Sequence, residues 1–241
     1  MTVKIFISAG HGGTDPGAVS YDGKYNEKDF NLSIAKYLKE ELDRHGIETK
    51  LSRDTDERIK VDSYVKMCND YKPDYALDIH CNSSTSANSN GAEVFHSING
   101  GKGQTLASNV QDELVKLGQN NRGTKTRVNS EGKDYFGFIR KTVCPAVIVE
   151  CGFMSNEGDI NKMNTPEKQK SFAVAIAKGV LKTVGFEYLE PVVKEELVEE
   201  VVVGYRVQMG VYQNRSNAQT MVDKLTSAGF KPAIVTVKMI K

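Results

Sequence analysis

Short apolar runs that stop at a glycine or an ionisable residue alternate along this chain with longer stretches whose apolar residues recur every four positions. The first kind reads as buried strand, the second as amphipathic helix. Strands are expected at 3–8 (VKIFIS), 48–52 (ETKLS), 75–80 (YALDIH), 91–97 (GAEVFHS), 135–140 (YFGFIR) and 146–150 (AVIVE). Phe30, Ile34, Leu38 and Leu42 mark a helix over 26–45 that Gly46 stops. A helical stretch follows near 57–70, and Leu106, Val110 and Leu114 mark another that ends near Gly118. Phe172, Ile176 and Val180 mark a long helix at 166–184. Such alternation predicts a three-layer α/β fold, a mostly parallel, mixed sheet of about six strands covered by helices.

The pattern breaks at residue 187. EYLEPVVKEELVEE is acidic, carries a proline and has no clean period, so 187–204 reads as a linker after a first domain at 1–186. Beyond it, YRVQMGVY alternates as a strand does. Ser216 has the character of an N-cap, and Ala218, Met221, Val222 and Leu225 fall at helical spacing before Gly229. AIVTV then resumes a strand, making 205–241 a small βαβ module. A unit of that size rarely buries enough surface alone, so docking or pairing with a second copy is expected.

Composition narrows the class. Hydrophobic residues make up 39% and charged residues 26% of 241, the proportions of an ordinary globular protein. A net charge of +1 gives no support to nucleic acid as a partner. No run approaches the roughly 20 apolar residues of a membrane span, so no membrane insertion is expected. The opening MTVKIFIS lacks the features of a secretory signal, so synthesis in the cytoplasm is the expectation. The four cysteines form no CxxC pair, which points to reduced, buried thiols rather than a disulfide scaffold or zinc finger.

The candidate chemistry sits where strands end. His11 follows the first strand inside AGHGG, and His80 closes ALDIH. In open α/β sheets ligands bind beyond the carboxyl ends of the strands. Glu150 ends PAVIVE, where an unpaired carboxylate would be costly to bury. It meets a metal or a wet cleft, or a structural partner such as Arg53 or Arg140. Glu27 lies in the first turn of a helix, a position that the helix dipole favours for any carboxylate. Two histidines and two glutamates on one rim fit a catalytic zinc, which takes three protein ligands, His₂Glu among the known sets, and leaves room for water. The fourth group would act as base. His45, in the last turn of its helix, suits the dipole as a cation. His96 closes the strand AEVFH, where it either faces the cleft or, as the preferred reading, takes no part in ligation. Cys81 and Cys151 point away from His80 and Glu150 and read as core.

FISAGHGGTDPGA, NEKDFNLSIAKYL, TKLSRD, DIHCNSS and AVIVECGFMSN occur in the order and spacing of zinc-dependent N-acetylmuramoyl-L-alanine amidases of the amidase-3 type, which residues 3–185 resemble. The resemblance implies Zn2+ held by His11, Glu27 and His80, with Glu150 the catalytic glutamate. It implies hydrolysis of the amide between N-acetylmuramic acid and L-alanine in bacterial peptidoglycan. The family usually has a serine where this chain has Asp78. Sharing a strand face with His80, Asp78 fits an acceptor that orients the imidazole, an N-cap or a salt-bridge partner. A zinc peptidase of the stem peptide, and a wall-binding protein with a structural or vestigial site, are the alternatives.

The tail resembles one half of a SPOR repeat, a domain that binds wall glycan and normally has two halves. Tyr205, Gln208, Tyr212 and Arg215 suit sugar contact or an ordinary half-exposed sheet face. A wall hydrolase made without a leader suits a phage endolysin, or a bacterial lytic enzyme freed at lysis. Half a repeat is completed by a second copy, so the C-terminal module predicts a homodimer. Light scattering should then give twice the chain mass, and a monomeric mass removes the prediction.

Overall fold

The computed structural model describes residues 2–191 and 210–235. They fall in two units, Met1–Pro191 and Val192–Lys241. The first contains one sheet whose strands are β1 (Lys4–Ala9), β2 (Glu48–Leu51), β3 (Tyr75–Asn82), β4 (Ala92–His96), β5 (Asn121–Lys125) and β6 (Ala146–Phe153). Their order is β2-β1-β3-β6-β4-β5. The β2, β1, β3 and β6 strands are mutually parallel, whereas β4 runs antiparallel to β6 and parallel to β5. The expected mixed, mostly parallel sheet is therefore present.

Period-two alternation sends the two faces of each strand into two cores. Ile5, Ile7, Leu77, Ile79, Val147 and Val149 face one cluster, and Phe6, Ala76, Ala146 and Ile148 face the other. Helices α1 (Glu27–Arg44), α3 (Lys102–Lys116) and α6 (Pro166–Val184) cover the first face. The stripe Phe30, Ile34, Leu38 and Leu42 is buried, as the four-residue spacing requires. Helices α2 (Val61–Tyr71) and α4 (Gly137–Lys141) cover the second face through Tyr64, Val65, Cys68, Phe138 and Ile139. A short α5 (Glu157–Met163) precedes α6, whose Thr165 side chain caps Lys168 N–H, with Pro166 starting the helix.

Two sequence expectations need correcting. YFGFIR is not a strand: Phe136 is the N-cap of α4, and the adjacent Phe138 and Ile139 are both buried. Neighbouring residues of a strand point to opposite faces, so a helical turn is what lets both enter one core. The sixth strand is instead NRGTK, a polar edge strand with no apolar signal. Its Arg122 and Lys125 bond to Glu93.

The boundary drawn at 187 also moves. Leu189 N–H donates to His45 Nε2 at 3.0 Å, and Tyr188 packs 4.9 Å from that ring. His45 Nδ1 lies 2.8 Å from the Glu41 carbonyl. The ring is thus engaged at both nitrogens, Nδ1 by the Glu41 carbonyl and Nε2 by the Leu189 N–H. Residues 187–190 thus belong to the first unit.

In the second unit α7 (Arg215–Ser227) occupies the predicted helix, with Asn214 rather than Ser216 as N-cap. Residues 205–209 of the expected first strand lie outside the described residues, and 210–212 are not strand. Over 233–235 the second expected strand is irregular, and 236–237 lie outside the described residues.

Where α6 crosses α3, Gly179 brings the backbones together: a Cβ there would lie 2.6 Å from Val110 Cα. Gly179→Ala should therefore lower the urea midpoint. Overpacking costs about 1–3 kcal/mol, more than the roughly 1 kcal/mol that alanine adds in helix propensity. A midpoint at or above wild type would show that the helices can part without loss.

Candidate active site

β1, β3 and β6 end at one edge of the sheet, and the chemistry gathers there. His80 and Glu150 are register partners on β3 and β6. Adjacent strands lie about 4.8 Å apart, so their side chains emerge side by side. His11 stands two residues beyond β1, in a loop closed by paired backbone bonds between Gly12 and Asp15, each 3.0 Å. Its φ of 62° is left-handed, a conformation that costs a non-glycine residue about 1–3 kcal/mol. The turn holds it so, and Asp15 Oδ1 lies 3.1 Å from His11 Nδ1.

Glu27 joins these elements. It is 4% exposed at the start of α1. Its Oε2 accepts from Ala18 N–H at 2.8 Å and lies 3.3 Å from His11 Nε2. Its Oε1 accepts from Cys81 N–H at 3.1 Å and Asn31 Nδ2 at 3.1 Å, and lies 3.0 Å from His80 Nδ1. The two imidazoles stand edge to face at 5.2 Å. Burial pushes the Glu27 carboxyl up, but the two histidines outweigh it and hold the group well below the usual range. His11 is raised by its bond to Glu27 against the opposing effect of burial. For His80, burial pulls the value down, and Asp78 and Glu27 override it.

Glu150 has the opposite surroundings. Its Oε2 is buried with no hydrogen-bond partner among the described residues. Burial first, then the charges of Glu27, Glu93 and Asp78, push the carboxyl up to about 7 against the pull of His80. Neither suggested arginine reaches it. Arg53 donates to the carbonyls of Ala9, Gly10, Thr55 and Lys28, and Arg140 to those of Asp134 and Tyr135. Glu93 is its register partner on β4, but Arg122, Lys125 and Asn82 hold that carboxylate.

The structure thus brings His11, Glu27 and His80 together, with one donor atom of each within 4.8 Å of the others, and sets Glu150 beside His80. The donor set suits a metal ion. Neighbouring ligands of a tetrahedral zinc with bonds near 2.0–2.1 Å stand about 3.3 Å apart. Glu27 meets the two imidazoles at 3.0 and 3.3 Å. His96 lies on the other face, its Nδ1 2.8 Å from the Ser97 carbonyl, and Cys81 and Cys151 are core residues. Two glycines make room for the donor groups themselves. A Cβ on Gly10 would overlap the His80 ring, and one on Gly17 would meet Glu27 Oε2 at 2.6 Å. Asp15, Asn31 and Tyr64 complete the site and were not expected. Asp15 and Asn31 stand four residues after His11 and Glu27, a spacing that could have flagged Asn31 on its helix.

Fold and cluster together define an α/β protein with a metal-competent His/Glu/His centre at the carboxyl edge of its sheet. The chain belongs to the N-acetylmuramoyl-L-alanine amidase family, whose profile matches residues 5–182, and a SPOR domain profile matches 202–241. It is 28% identical over 236 residues to the sporulation-specific N-acetylmuramoyl-L-alanine amidase of Bacillus subtilis, covering 97% of this chain and 84% of that one. Among solved structures, the catalytic domain of CwlV, an N-acetylmuramoyl-L-alanine amidase from Bacillus (Paenibacillus) polymyxa var. colistinus, matches with a TM-score of 0.70 at 29% identity. That match covers 77% of this chain and all of the other. Cwp6 from Clostridium difficile matches with a TM-score of 0.74 at 36% identity, covering 76% of this chain but only 30% of Cwp6.

The isolated Glu150 charge sets a pH dependence. A carboxyl raised from 4.5 to about 7 by folding opposes folding increasingly as pH climbs between those values, and fully above them. In metal-free protein at pH 8, Glu150→Gln should raise the unfolding free energy by on the order of 1–3 kcal/mol. Near pH 4 the two proteins should unfold alike. Urea titration at both pH values reads the difference, and equal midpoints at pH 8 would contradict it.

Proposed function

We propose that the chain is a zinc-dependent N-acetylmuramoyl-L-alanine amidase. In this reading it hydrolyses the amide between the lactyl group of N-acetylmuramic acid and L-alanine in bacterial peptidoglycan. The observation that supports it most is the convergence of His11, Glu27 and His80 beside Glu150, whose Oε2 has no hydrogen-bond partner among the described residues. Three protein ligands leave a fourth position open, as catalytic rather than structural sites do. That favours an enzyme over a wall-binding protein with a closed metal site.

His11, Glu27 and His80 would hold the ion. Zinc in such a site supplies Lewis acidity toward a carbonyl and makes hydroxide available near neutral pH. Glu150 takes the proton of the attacking water. With its pKa near 7 it also returns a proton readily, and it delivers this one to the nitrogen of L-alanine as the C–N bond breaks. The products are a free lactyl carboxylate and a free α-amino group. Glu27, bonded on both oxygens, has no such freedom and stays an anion.

The SPOR-like tail would keep the enzyme on wall glycan. Release at lysis, as a phage endolysin is released, remains one reading of where the enzyme acts. The kinship along nearly the whole chain with an amidase named as sporulation-specific favours a bacterial lytic enzyme.

Glu150→Ala should retain bound zinc and lower kcat by about 10²–10⁴-fold or more. His11→Ala and His80→Ala should lose the metal as well. Digesting purified peptidoglycan and identifying the new termini tests the bond. New alanine amino groups with lactyl carboxylates fit the amidase, other termini a stem peptidase, and none a binder. Near-normal turnover by Glu150→Ala would remove its assigned role.

A further inference from the structure

We propose that Asp78 is a positioning residue: pinned by the Tyr64 hydroxyl, its carboxylate accepts the Nε2–H of His80 and so fixes Nδ1 as the nitrogen turned toward Glu27 and an incoming metal ion. The inference rests on the metal-centre reading above and deepens it. Asp78 Oδ2 lies 3.3 Å from His80 Nε2, while Nδ1 of the same ring lies 3.0 Å from Glu27 Oε1. The imidazole thus has a carboxylate oxygen beside each nitrogen. A neutral histidine ligand needs a lone pair on the metal side, so its proton must be kept on the other nitrogen by an acceptor. Asp78 is that acceptor.

Asp78 is itself held from behind. Tyr64 O–H donates to the same Oδ2 at 3.1 Å. Tyr64 belongs to α2 and packs 5.7 Å from the Phe138 ring in the second core, so packing sets where its hydroxyl sits. Core, phenol, carboxylate and imidazole form one continuous contact chain into the cluster.

Burial argues that the carboxylate is there for His80. Asp78 is 1% exposed, and its Oδ1 has no hydrogen-bond partner among the described residues. Ser8, opposite it on β1, also has an unpartnered Oγ. Among the described residues its ion pair is with His80, since Arg53 donates to backbone carbonyls instead. A small neutral residue would fill the same strand position without the cost of a buried charge. The carboxylate beside the far nitrogen of His11, Asp15, is by contrast 35% exposed.

Full-length wild type, Asp78→Asn and Tyr64→Phe, each stripped of metal, are titrated with Zn2+ against a chromogenic chelator at fixed pH. Wild type should take one equivalent. Asp78→Asn should bind about 10–100-fold more weakly, the range for loss of such a partner, and Tyr64→Phe should weaken binding by a smaller factor. In ¹⁵N-histidine-labelled, zinc-loaded wild type, His80 Nε2 should carry a proton shifted downfield by its carboxylate acceptor. That signal should move upfield in Asp78→Asn, which a purely structural role would not require. Wild-type affinity and an unmoved signal in a folded Asp78→Asn would overturn the proposal and leave the metal centre standing. If Asp78→Asn does not fold, the same two readouts on Tyr64→Phe decide. A wild type that takes up no zinc would overturn both readings.

Discussion

The site depends on one buried carboxylate. Glu27 meets both imidazoles, and its oxygens also accept backbone N–H groups from Ala18 and Cys81. A single side chain therefore ties the loop after β1, the end of β3 and the start of α1. Burying a carboxylate is costly, and these donors are what offset the cost. They are available only if the first turn of α1 reaches the carboxyl edge of the sheet. The stripe Phe30, Ile34, Leu38 and Leu42 fixes the helix against that face. Hydrophobic packing of α1 and the geometry of the centre are thus two consequences of one placement.

Backbone geometry answers to the same requirement. His11 sits at a positive φ where glycine would be easier, and its neighbours Gly10 and Gly17 are where a side chain would strike His80 or Glu27. The small residues make room for the protein's own donors to approach one another. The strain at His11 is carried by the tight Gly12–Asp15 turn, which also delivers Asp15 to its Nδ1. Such local cost is tolerated where the surroundings over-determine it.

What could be read in the chain follows from which forces leave a periodic trace. Buried strands and the α1, α3 and α6 stripes are legible because burial repeats every two or four residues. His11, His80 and Glu150 stood out because ionisable groups at the ends of apolar runs are conspicuous, whereas Glu27, in the first turn of α1, looked like any carboxylate at a helix start. NRGTK was not legible, since an edge strand held by backbone bonds and by Arg122 and Lys125 to Glu93 shows no apolar alternation. YFGFIR misled because aromatic residues favour strands, whereas tertiary packing against α2 asked for two adjacent buried side chains. Tyr64 reads as one more core aromatic until Asp78 is seen behind His80. Contacts between elements distant in the chain leave no local pattern.

On the proposed reading, environment alone divides one residue type, glutamate, between two tasks. Glu27 is saturated with donors and stays ionised, so it is suited to hold a cation and not to move protons. Glu150 stands on the neighbouring strand, is only half-buried as a residue, and has one enclosed oxygen with no donor among the described residues. Its proton is held near neutral pH, the range in which a group takes and returns a proton with little loss either way. Exchanging these surroundings would exchange the roles: a donor beside Glu150 would lower its pKa and leave a weaker base. On that reading the lack of a partner at that oxygen among the described residues serves the proton transfer, and it is maintained by the bonds that turn Arg53, Arg140, Arg122 and Lys125 elsewhere.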